Sequence, residues 1–478
     1  MDPTPLPAAI PAAAIPPAPI TGASGHGVRD DANWAAIAGE LQGLNVVSDE
    51  RQRRLLSKDF HWYSPILAEQ LAGCVADLVV KPSTEAEVLR IAAVAARHRV
   101  PITVRGAGTG NYGQCVPLAG GLVLDCTEMM RVLDIQPGRV TAQAGARLLD
   151  IELAVRETGQ ALRLWPSTWQ VATIAGFVAG GFGGVGSTAH GVLRDSGNLL
   201  RCRVVTVEAE PRVIELYGDD IQQVHHAYGS NGIITELEVA LSPAVDWVHV
   251  IALFPAYGQV LDCAMAAGGL PSFLMSAVDR RFAPYYTALQ AHFPADRHAL
   301  FAMIAPPAMD EFRRRVASHG GTVSLAMHEP ELRAAGLPPA SECAYNHTTL
   351  QVLKADRSFT YLQVAYPQPF DPGVVLRQMA RWGDEVWQHQ EFAMMHGEAA
   401  TFAILLVRWT GAERQYELIA EIEADGCTVF NPHVVTIEDG GMKAIDSAQI
   451  EFKKRADPMG LMNPGKTRGW SPDMAREA

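Results

Sequence analysis

The apolar positions of residues 70–245 follow a helical period in some stretches and a strand period in others. Behind the capping box Thr84-x-x-Glu87, apolar residues recur on one helix face as far as Ala95, which predicts a helix. Strands are predicted at residues 78–80, 101–104, 121–125, 134–144, 202–207, 212–216 and 232–241. Because strands outnumber helices and hairpins are frequent, the class is α+β rather than a regular βαβ stack.

The pattern changes after Pro243. Amphipathic helices are predicted at 309–316 and 374–387, and long apolar strands at 359–365 and 400–408, which is typical of an antiparallel sheet with helices on one face. The sequence therefore predicts a disordered Pro/Ala-rich leader, a helical segment, a first domain, a second domain, and a C-terminal helix and tail that return to the first domain. Their bounds are 1–33, 34–69, 70–245, 246–440 and 441–478. The C-terminal helix is expected to run from 451 to 467.

Charge and cysteine content narrow the classes of partner. The chain has 478 residues, a formal net charge of −13 and no block of Lys and Arg, which argues against nucleic acid or an anionic membrane as the main partner. No apolar run is long enough to span a bilayer, so no integral membrane segment is expected. The seven cysteines are widely spaced and include no C-x-x-C pair, which predicts free thiols and a cytoplasmic location.

Two segments match G-x-G-x-x-G. The first contains Gly108, Gly110 and Gly113, and the second contains Gly181, Gly183 and Gly186. A nicotinamide dinucleotide fold requires such a motif to open a helix, and neither continuation has a helical pattern, so that fold is rejected. Consecutive N–H groups in a glycine loop can instead form a nest for phosphate oxygens, and residues 105–110 offer one beside an arginine. The alternative is that both segments are only tight turns.

Residues 70–245 resemble the PCMH-type FAD-binding domain of the vanillyl-alcohol oxidase/p-cresol methylhydroxylase superfamily. They are most similar to its branch of FAD-linked glycolate oxidase subunits and D-lactate dehydrogenases. The resemblance rests on five segments in the family's order: VVKPSTEAEVLRIAAVAARHRVPITVRGAGTG, TAQAG, ATIAGFVAGGFGGVGSTAHGVLRDS, GSNGIITELEVAL and DPMGLMNPGK. It implies a two-subdomain FAD-binding domain with a cap domain over the reactive face of the flavin.

The resemblance also implies which residues bind FAD. The first loop would hold the pyrophosphate, the following segments would line the pyrophosphate and the isoalloxazine, Ile233 and Ile234 would lie near the adenine, and Asn463 would approach the ring. The loop residues are Arg105, Gly106, Ala107, Gly108, Thr109, Gly110 and Asn111. The following segments contribute Pro166, Ser167, Thr168, Thr173, Gly176, Gly180, Gly181, Gly183 and Gly186.

The sequence departs from the family at two places. Family members with a covalent flavin often carry His in the first loop, where this chain has Thr109, so the FAD is expected to be non-covalent; His61, His190 or a cysteine stays open as another link. The paired metal-binding histidines of the family's HxGDGNxH motif are not evident, and Asp439 stands where its EHG motif has the catalytic His. No metal is therefore expected, and a 2-hydroxy acid substrate is in doubt.

Ionisable groups within apolar strands of the second domain are the candidates for chemistry, because such groups are costly to bury unless they are paired or functional. The set comprises His347, Lys354, His396, Glu398, Arg408 and His433. We predict that His433 takes the substrate proton with Glu438 as its partner, and that His396 is the next candidate. The alternative for each is a structural residue with satisfied hydrogen bonds.

The sequence thus predicts an FAD-dependent oxidoreductase that oxidises a small organic molecule, a hydroxy acid or an alcohol, at CH–OH by hydride transfer to the flavin. Oxidation of a CH–NH or phenolic substrate is the first alternative. A flavin-binding subunit or sensor without turnover is the second. The electron acceptor (oxygen, a quinone or a cytochrome) and the formation of a homo-oligomer stay open.

Overall fold

The first sheet is small and follows an N-terminal helical segment. A computed structural model describes residues 33–441, 443, 445 and 447–470 of the chain; of the predicted leader, residues 1–32 lie outside this part. Four helices are α1 Trp34–Glu40, α2 Glu50–Leu56, α3 Pro65–Gln70 and α4 Glu85–His98. The strands are β1 Asn45–Val47, β2 Leu78–Lys81, β3 Ile102–Arg105 and β4 Leu122–Asp125, in the order β1-β2-β4-β3. Strands β2, β4 and β3 are parallel, and β1 is antiparallel to β2.

The predicted helix behind the capping box is α4. The Thr84 side chain accepts a hydrogen bond from the Glu87 N–H, and Arg99 ends the helix in the left-handed region. Its buried face carries Val88, Ile91 and Ala95.

The second sheet completes the first domain. Its strands are β5 Val132–Gln136, β6 Arg139–Gln143, β7 Gln160–Leu162, β8 Leu199–Val205, β9 Val213–Tyr217 and β10 Ile233–Pro243. The order is β5-β6-β10-β8-β9, with β7 paired to the end of β10. Helices α5 Leu148–Arg156, α6 Ile174–Gly180 and α7 Ser187–His190 connect them. As expected, neither G-x-G-x-x-G segment opens a long helix.

The third sheet is antiparallel, as the sequence predicts. It contains β11 Val248–Phe254, β12 Ser272–Val278, β13 His298–Ile304, β14 Thr322–His328, β15 Phe359–Ala365, β16 Val386–Trp387, β17 His389–Met395, β18 Glu398–Arg408 and β19 Thr428–Phe430. The order is β14-β11-β13-β12-β17-β18-β15-β19, with β16 paired to β18. The helices are α8 Tyr257–Ala267, α9 Met309–Ser318, α10 Glu329–Ala335, α11 Asn346–Ala355, α12 Pro372–Trp382 and α13 Ala412–Ala424.

The two faces of the third sheet belong to different cores. One face packs against α8, α9, α12 and α13 in a core of its own. The other face joins a larger core that extends into the first domain. Because side chains alternate between the two faces along each strand, successive residues pack into different cores. One of these two sets of side chains points toward the first domain.

Two predicted helices are shorter than expected. Helix α12 ends at Trp382 rather than 387, because Gly383 takes φ +52 and the chain returns to the sheet as β16. The C-terminal helix is α15 Ser447–Ala456, which follows α14 Ile437–Gly440, and it does not reach 467. Asp457 precedes a proline, which disfavours the helical conformation, and its carboxylate accepts hydrogen bonds from the Leu461 and Met462 N–H groups instead.

Short 3₁₀ helices fill several connections, at His61–Tyr63, Cys126–Glu128, Gly218–Gln223, Arg280–Tyr285, Thr287–Leu289, Pro306–Ala308 and Ala340–Cys343. Among residues 33–441 and 447–470, no helix combines the length and apolar character needed to cross a membrane.

Candidate active site

A cavity of about 280 Å³ lies between the first domain and the third sheet. A second described cavity, beside β11 and Leu289, encloses about 10 Å³ and is too small for a ligand. The first domain contributes the loop after β3, the turn at residues 166–168 and the run from Thr173 through α6 to Gly184. The third sheet contributes residues of β15, β17, β18 and β19, and α11 contributes its first turn. We call this space the central cavity.

The loop after β3 is shaped by Arg105. Its guanidinium turns back along the loop and donates hydrogen bonds to the carbonyl oxygens of Lys58 (2.5 Å) and Ala107 (3.2 Å) and to Cys115 Sγ (3.5 Å). A Cβ on Gly108, which has φ +68, would lie 2.2 Å from the Arg105 guanidinium. A Cβ on Gly106 would lie 2.1 Å from Thr173 Oγ1. Both positions therefore require glycine.

The backbone of this loop faces the cavity with its donors free. Within the part of the chain that the structure describes, the N–H groups of residues 107–111 donate no hydrogen bond. Consecutive free N–H groups in such a loop form a concave site for anionic oxygens. The loop is thus suited to a phosphate-bearing ligand.

Two further segments converge on the loop. Thr168 Oγ1 lies 3.4 Å from Thr109 Oγ1, and the Thr173 side chain caps α6 by accepting a hydrogen bond from the Gly176 N–H. Gln114 Nε2 donates to the Gly180 carbonyl at 2.8 Å. The two glycine-rich segments and the turn at residues 166–168 therefore surround one cavity instead of forming separate turns.

The structure brings together most of the predicted cofactor residues. Those that line the central cavity are Arg105, Gly106, Ala107, Gly108, Thr109, Gly110, Asn111, Pro166, Ser167, Thr168, Thr173, Gly176, Gly180, Gly181, Gly183 and Ile234. Gly186, Ile233 and Asn463 lie outside the lining. Gly186 has φ +98, and a Cβ there would lie 2.0 Å from the Arg163 carbonyl oxygen, so its glycine serves the local packing.

Asn463 lies behind the loop instead of beside the cavity. Its Nδ2 donates to the carbonyl oxygens of Gln114 (2.8 Å) and Tyr228 (2.6 Å), and its backbone N–H donates to the Ile102 carbonyl at 2.7 Å. Lys466 is also buried here, donates to the Gly113 carbonyl, and has its pKa lowered to about 8 by burial. The C-terminal segment therefore contacts the chain on both sides of the first loop, at Ile102 before it and at Gly113 and Gln114 after it.

His433 is buried away from the cavity lining. Its Nδ1 lies 2.7 Å from Ser64 Oγ, and its Nε2 lies 2.9 Å from the Tyr361 carbonyl oxygen and 3.1 Å from Gln415 Nε2. Burial lowers its pKa to about 4. Both ring nitrogens are engaged by the protein, and this placement argues against the predicted role of His433 in proton transfer.

Glu438 and His396 also lie outside the lining. Glu438 Oε1 accepts hydrogen bonds from the N–H groups of Arg468 (2.7 Å) and Gly469 (2.8 Å). His396 occupies the exposed turn between β17 and β18, where its Nδ1 lies 3.1 Å from the Asp195 carboxylate. The structure therefore does not bring His433, Glu438 and His396 into one site.

The polar wall of the cavity is formed by other residues. Glu391 on β17 is 1% exposed, and its Oε1 accepts hydrogen bonds from the Tyr345 N–H (2.6 Å) and Ser276 Oγ (3.0 Å) and lies 2.7 Å from His389 Nε2. Its Oε2 is buried and has no hydrogen-bond partner among the described residues. Glu391 lines the cavity, so a bound molecule could supply the missing donor.

Tyr345 and Asn346 extend this wall. The Tyr345 hydroxyl donates to the Gly184 carbonyl at 2.6 Å, which ties the second domain to the glycine-rich run. Burial, and then the charge of Glu391, hold the pKa of Tyr345 well above its ordinary value, so its hydroxyl stays protonated. Asn346 Oδ1 is a second buried acceptor without a partner in the described chain.

Sequence reasoning identified one member of this wall, His347, and missed Glu391, Tyr345 and Asn346. A signal was present in the run from Gln388 to Glu391, which places four consecutive polar residues at the start of β17, where all are buried. The predicted absence of a metal stays a prediction. Over the described chain, no three His, Cys, Asp or Glu side chains are grouped to hold a metal ion.

Comparisons with known proteins agree with this geometry. Residues 76–215 match a family model described as an FAD binding domain. The glycolate oxidase subunit GlcD of Bacillus subtilis is 32% identical over 211 residues, which cover 41% of this chain and 44% of that protein. A D-lactate dehydrogenase of Archaeoglobus fulgidus is 30% identical over 200 residues, covering 39% of this chain and 44% of that protein. The match therefore spans less than half the length of these curated relatives.

The fold extends beyond the matched region. An alkyldihydroxyacetonephosphate synthase structure superposes with a TM-score of 0.68 at 15% identity, covering 92% of this chain and 86% of that one. The predicted fold, an FAD-binding domain with an antiparallel cap domain, is confirmed. The chain carries an FAD-binding domain, and this domain is similar to those of FAD-linked glycolate oxidase subunits and D-lactate dehydrogenases.

The residues present fit FAD. The free N–H groups of residues 107–111 suit the pyrophosphate, and a Cβ at Gly106 or Gly108 would collide with the residues that frame the loop. Of the residues left open as covalent links, His61 and His190 lie outside the lining. Cys115 lines the cavity, but burial raises its pKa to about 11, which makes it a poor nucleophile.

Proposed function

We propose that this chain is an FAD-linked oxidoreductase that oxidises a small organic molecule at a CH–OH group, with Glu391 as the proton acceptor. The observation that carries the proposal is Glu391, which lines the central cavity and whose Oε2 is a buried acceptor without a donor among the described residues. A substrate hydroxyl bound there would satisfy it.

The cofactor would be held by the residues of the glycine-rich segments. Residues 105–111, 166–168 and 173–183, together with Ile234, would bind FAD without a covalent bond. When bound, FAD accepts the hydride from the substrate carbon. The carbon loses two electrons, its C–H and O–H bonds break, a C=O bond forms, and the proton goes to Glu391 Oε2.

The neighbours of Glu391 prepare it for this role. Three contacts fix its Oε1, from the Tyr345 N–H, Ser276 and His389, so the carboxylate cannot rotate freely and Oε2 keeps one position. Ser276 and Glu391 are direct cross-strand partners on β12 and β17, which makes the position of the carboxylate a property of the sheet. His389 and Tyr345 are positioning residues in this proposal.

Glu391→Gln tests the proposal. We expect normal FAD content and a rate of flavin reduction on the order of a hundredfold or more below that of the unaltered protein, because an amide cannot accept the proton. The measurement is rapid anaerobic mixing with a panel of alcohols, hydroxy acids, amines and phenols, followed by flavin bleaching.

The matched control is Glu157→Gln, the same chemical change at an exposed position at the end of α5. Its rate of flavin reduction should stay within a few-fold of that of the unaltered protein. A Glu391→Gln variant that keeps its reduction rate would remove Glu391 from the mechanism. If no compound bleaches the flavin, the chain is a flavin-binding subunit or sensor, and bleaching by amines or phenols alone would favour the other alternative.

A further inference from the structure

The geometry points to an uncharged substrate that carries two or more hydroxyl groups, and not to a 2-hydroxy acid. This inference rests on the proposed function, because it concerns the molecule that meets Glu391. It follows from which charges and which hydrogen-bonding groups line the central cavity.

None of the described residues that line the central cavity is a free cation for a substrate carboxylate. Among the described lining residues, the side chains that carry or can acquire positive charge are Arg105 and His347. Arg105 belongs to the first loop, and its guanidinium already donates hydrogen bonds to Lys58, Ala107 and Cys115. His347 Nδ1 lies 3.0 Å from Glu342 Oε2, so even a protonated His347 is already neutralised by a carboxylate.

The wall instead presents the carboxyl group of Glu391. In a 2-hydroxy acid the carboxylate is attached to the carbon that bears the hydroxyl. A hydroxyl placed on Glu391 Oε2 would therefore bring the substrate carboxylate close to the Glu391 carboxylate. Glu391 is 1% exposed, so water would screen this repulsion poorly.

The polar wall contains more than one hydrogen-bond acceptor that lacks a donor within the described chain. Glu391 and Asn346 both line the cavity, and Glu391 Oε2 and Asn346 Oδ1 are buried acceptors without a partner among the described residues, so each would gain from an O–H or N–H of a ligand. They are close in the fold, because Tyr345, which precedes Asn346, donates its N–H to Glu391. One hydroxyl cannot satisfy both, whereas a diol or polyol can.

A substrate comparison tests the inference with pairs that differ only in CH₂OH against COO⁻. The pairs are ethane-1,2-diol with glycolate, propane-1,2-diol with lactate, and glycerol with glycerate. Under anaerobic mixing, we expect any diol or triol that reduces the flavin to do so at least tenfold more efficiently than its acid. An acid that is the better member of its pair overturns the inference, while the proposed oxidation at CH–OH stands.

Anion binding gives a second readout that does not depend on turnover. Oxalate cannot be oxidised at a CH–OH group, and its dissociation constant follows from the shift of the flavin absorption spectrum. We expect oxalate to bind at least tenfold more tightly to Glu391→Gln than to the unaltered protein, because the substitution removes the opposing charge. An oxalate dissociation constant that is unchanged or higher in Glu391→Gln overturns the inference.

If the Glu391→Gln variant does not fold, the Asn346→Ala variant tests the inference in its place. It removes the second acceptor without changing charge, so glycerol and xylitol should bind about tenfold more weakly by the same spectral titration, and oxalate should bind as before. Unchanged polyol binding overturns the inference. If no compound reduces the flavin, the proposed oxidation fails, yet the oxalate and polyol titrations still decide the nature of the ligand.

Discussion

Gly108 is a single position that decides whether the first loop can receive a phosphate-bearing ligand. Its φ of +68 is unfavourable for any side chain, and a Cβ there would meet the Arg105 guanidinium at 2.2 Å. Moving Arg105 would release three hydrogen bonds that shape the loop. The glycine and the arginine therefore depend on each other.

We predict that Gly108→Val, and likewise Gly106→Val, loses bound flavin while the remaining fold is retained. The measurement is the ratio of flavin to protein absorbance, with circular dichroism for the fold. Gly73→Val is the control, because a Cβ at this exposed position meets no atom within 4 Å. Full flavin content in both loop variants would show that the loop is only a turn.

His433 is expected to act on stability and not on chemistry. Burial lowers its pKa to about 4, below the unfolded value of about 6.5. The unfolded chain therefore binds more protons between these two values, and the free energy of unfolding falls as the pH falls from 6.5 toward 4. This difference between the folded and unfolded pKa of His433 corresponds to a change of roughly 3 kcal/mol in the free energy of unfolding.

We predict that His433→Asn lowers the free energy of unfolding at pH 7 and makes its slope between pH 4 and 6.5 shallower. Flavin reduction should stay within a few-fold of the unaltered rate. Chemical denaturation at a series of pH values gives the slope, and rapid mixing gives the rate. A large loss of reduction rate with normal stability would restore the role that the sequence predicts for His433.

The predictability of the site differs from residue to residue for a physical reason. Loop residues 105–111 are recognisable because backbone approach to a ligand demands glycine, which is visible in the sequence. Glu391 owes its position to its pairing with Ser276, 115 residues earlier, and His433 owes its environment to Ser64, 369 residues earlier. Periodicity within a strand does not reveal such distant partners.

At the scale of elements, the spacing of apolar residues along the chain predicts most strands and the helix that follows Thr84. They fail where a local conformation ends a helix, at Gly383 after α12 and at Asp457 before its proline. The segment after Asp457 is irregular, but it pairs with the first sheet, since Met462 forms a parallel bridge with Ile102 of β3. This segment positions the first loop through Asn463.

We predict that Asn463→Ala weakens FAD binding by about tenfold or more, because two hydrogen bonds that hold the chain at Gln114 and Tyr228 are lost. Titration of the flavin-free protein with FAD, followed by quenching of flavin fluorescence, gives the dissociation constant. Asn33→Ala, which removes an exposed helix cap, is the control. Equal affinity in the two variants would assign Asn463 a purely structural role.

At the scale of the whole molecule, the central cavity exists because two domains meet. The first domain supplies glycine-rich backbone, and the second domain supplies carboxylate, amide and phenol groups. The family resemblance predicts that the two domains contribute different groups to the cavity. It does not predict which face of the third sheet meets the first domain. That face is set by the cores on its two sides.

We predict that the purified protein is yellow and that acid precipitation releases FAD into the supernatant. Thr109 replaces the usual tether, and burial raises the pKa of Cys115, which lines the cavity, to about 11. Chromatography of the supernatant identifies the flavin. Colour retained in the pellet would show a covalent bond, and FMN in the supernatant would contradict the role of the loop at residues 107–111.

The attachment of Asn463 and Lys466 behind the first loop has a consequence for biosynthesis. A ribosome produces the glycine-rich segments early, and domains fold largely as their residues emerge. The anchors of residues 461–466 are translated more than 270 residues after Gly184, the last glycine of the lining run. A nascent chain can thus form its sheets while its flavin site is still loose, and tight capture of the cofactor waits until residues 461–466 have been translated.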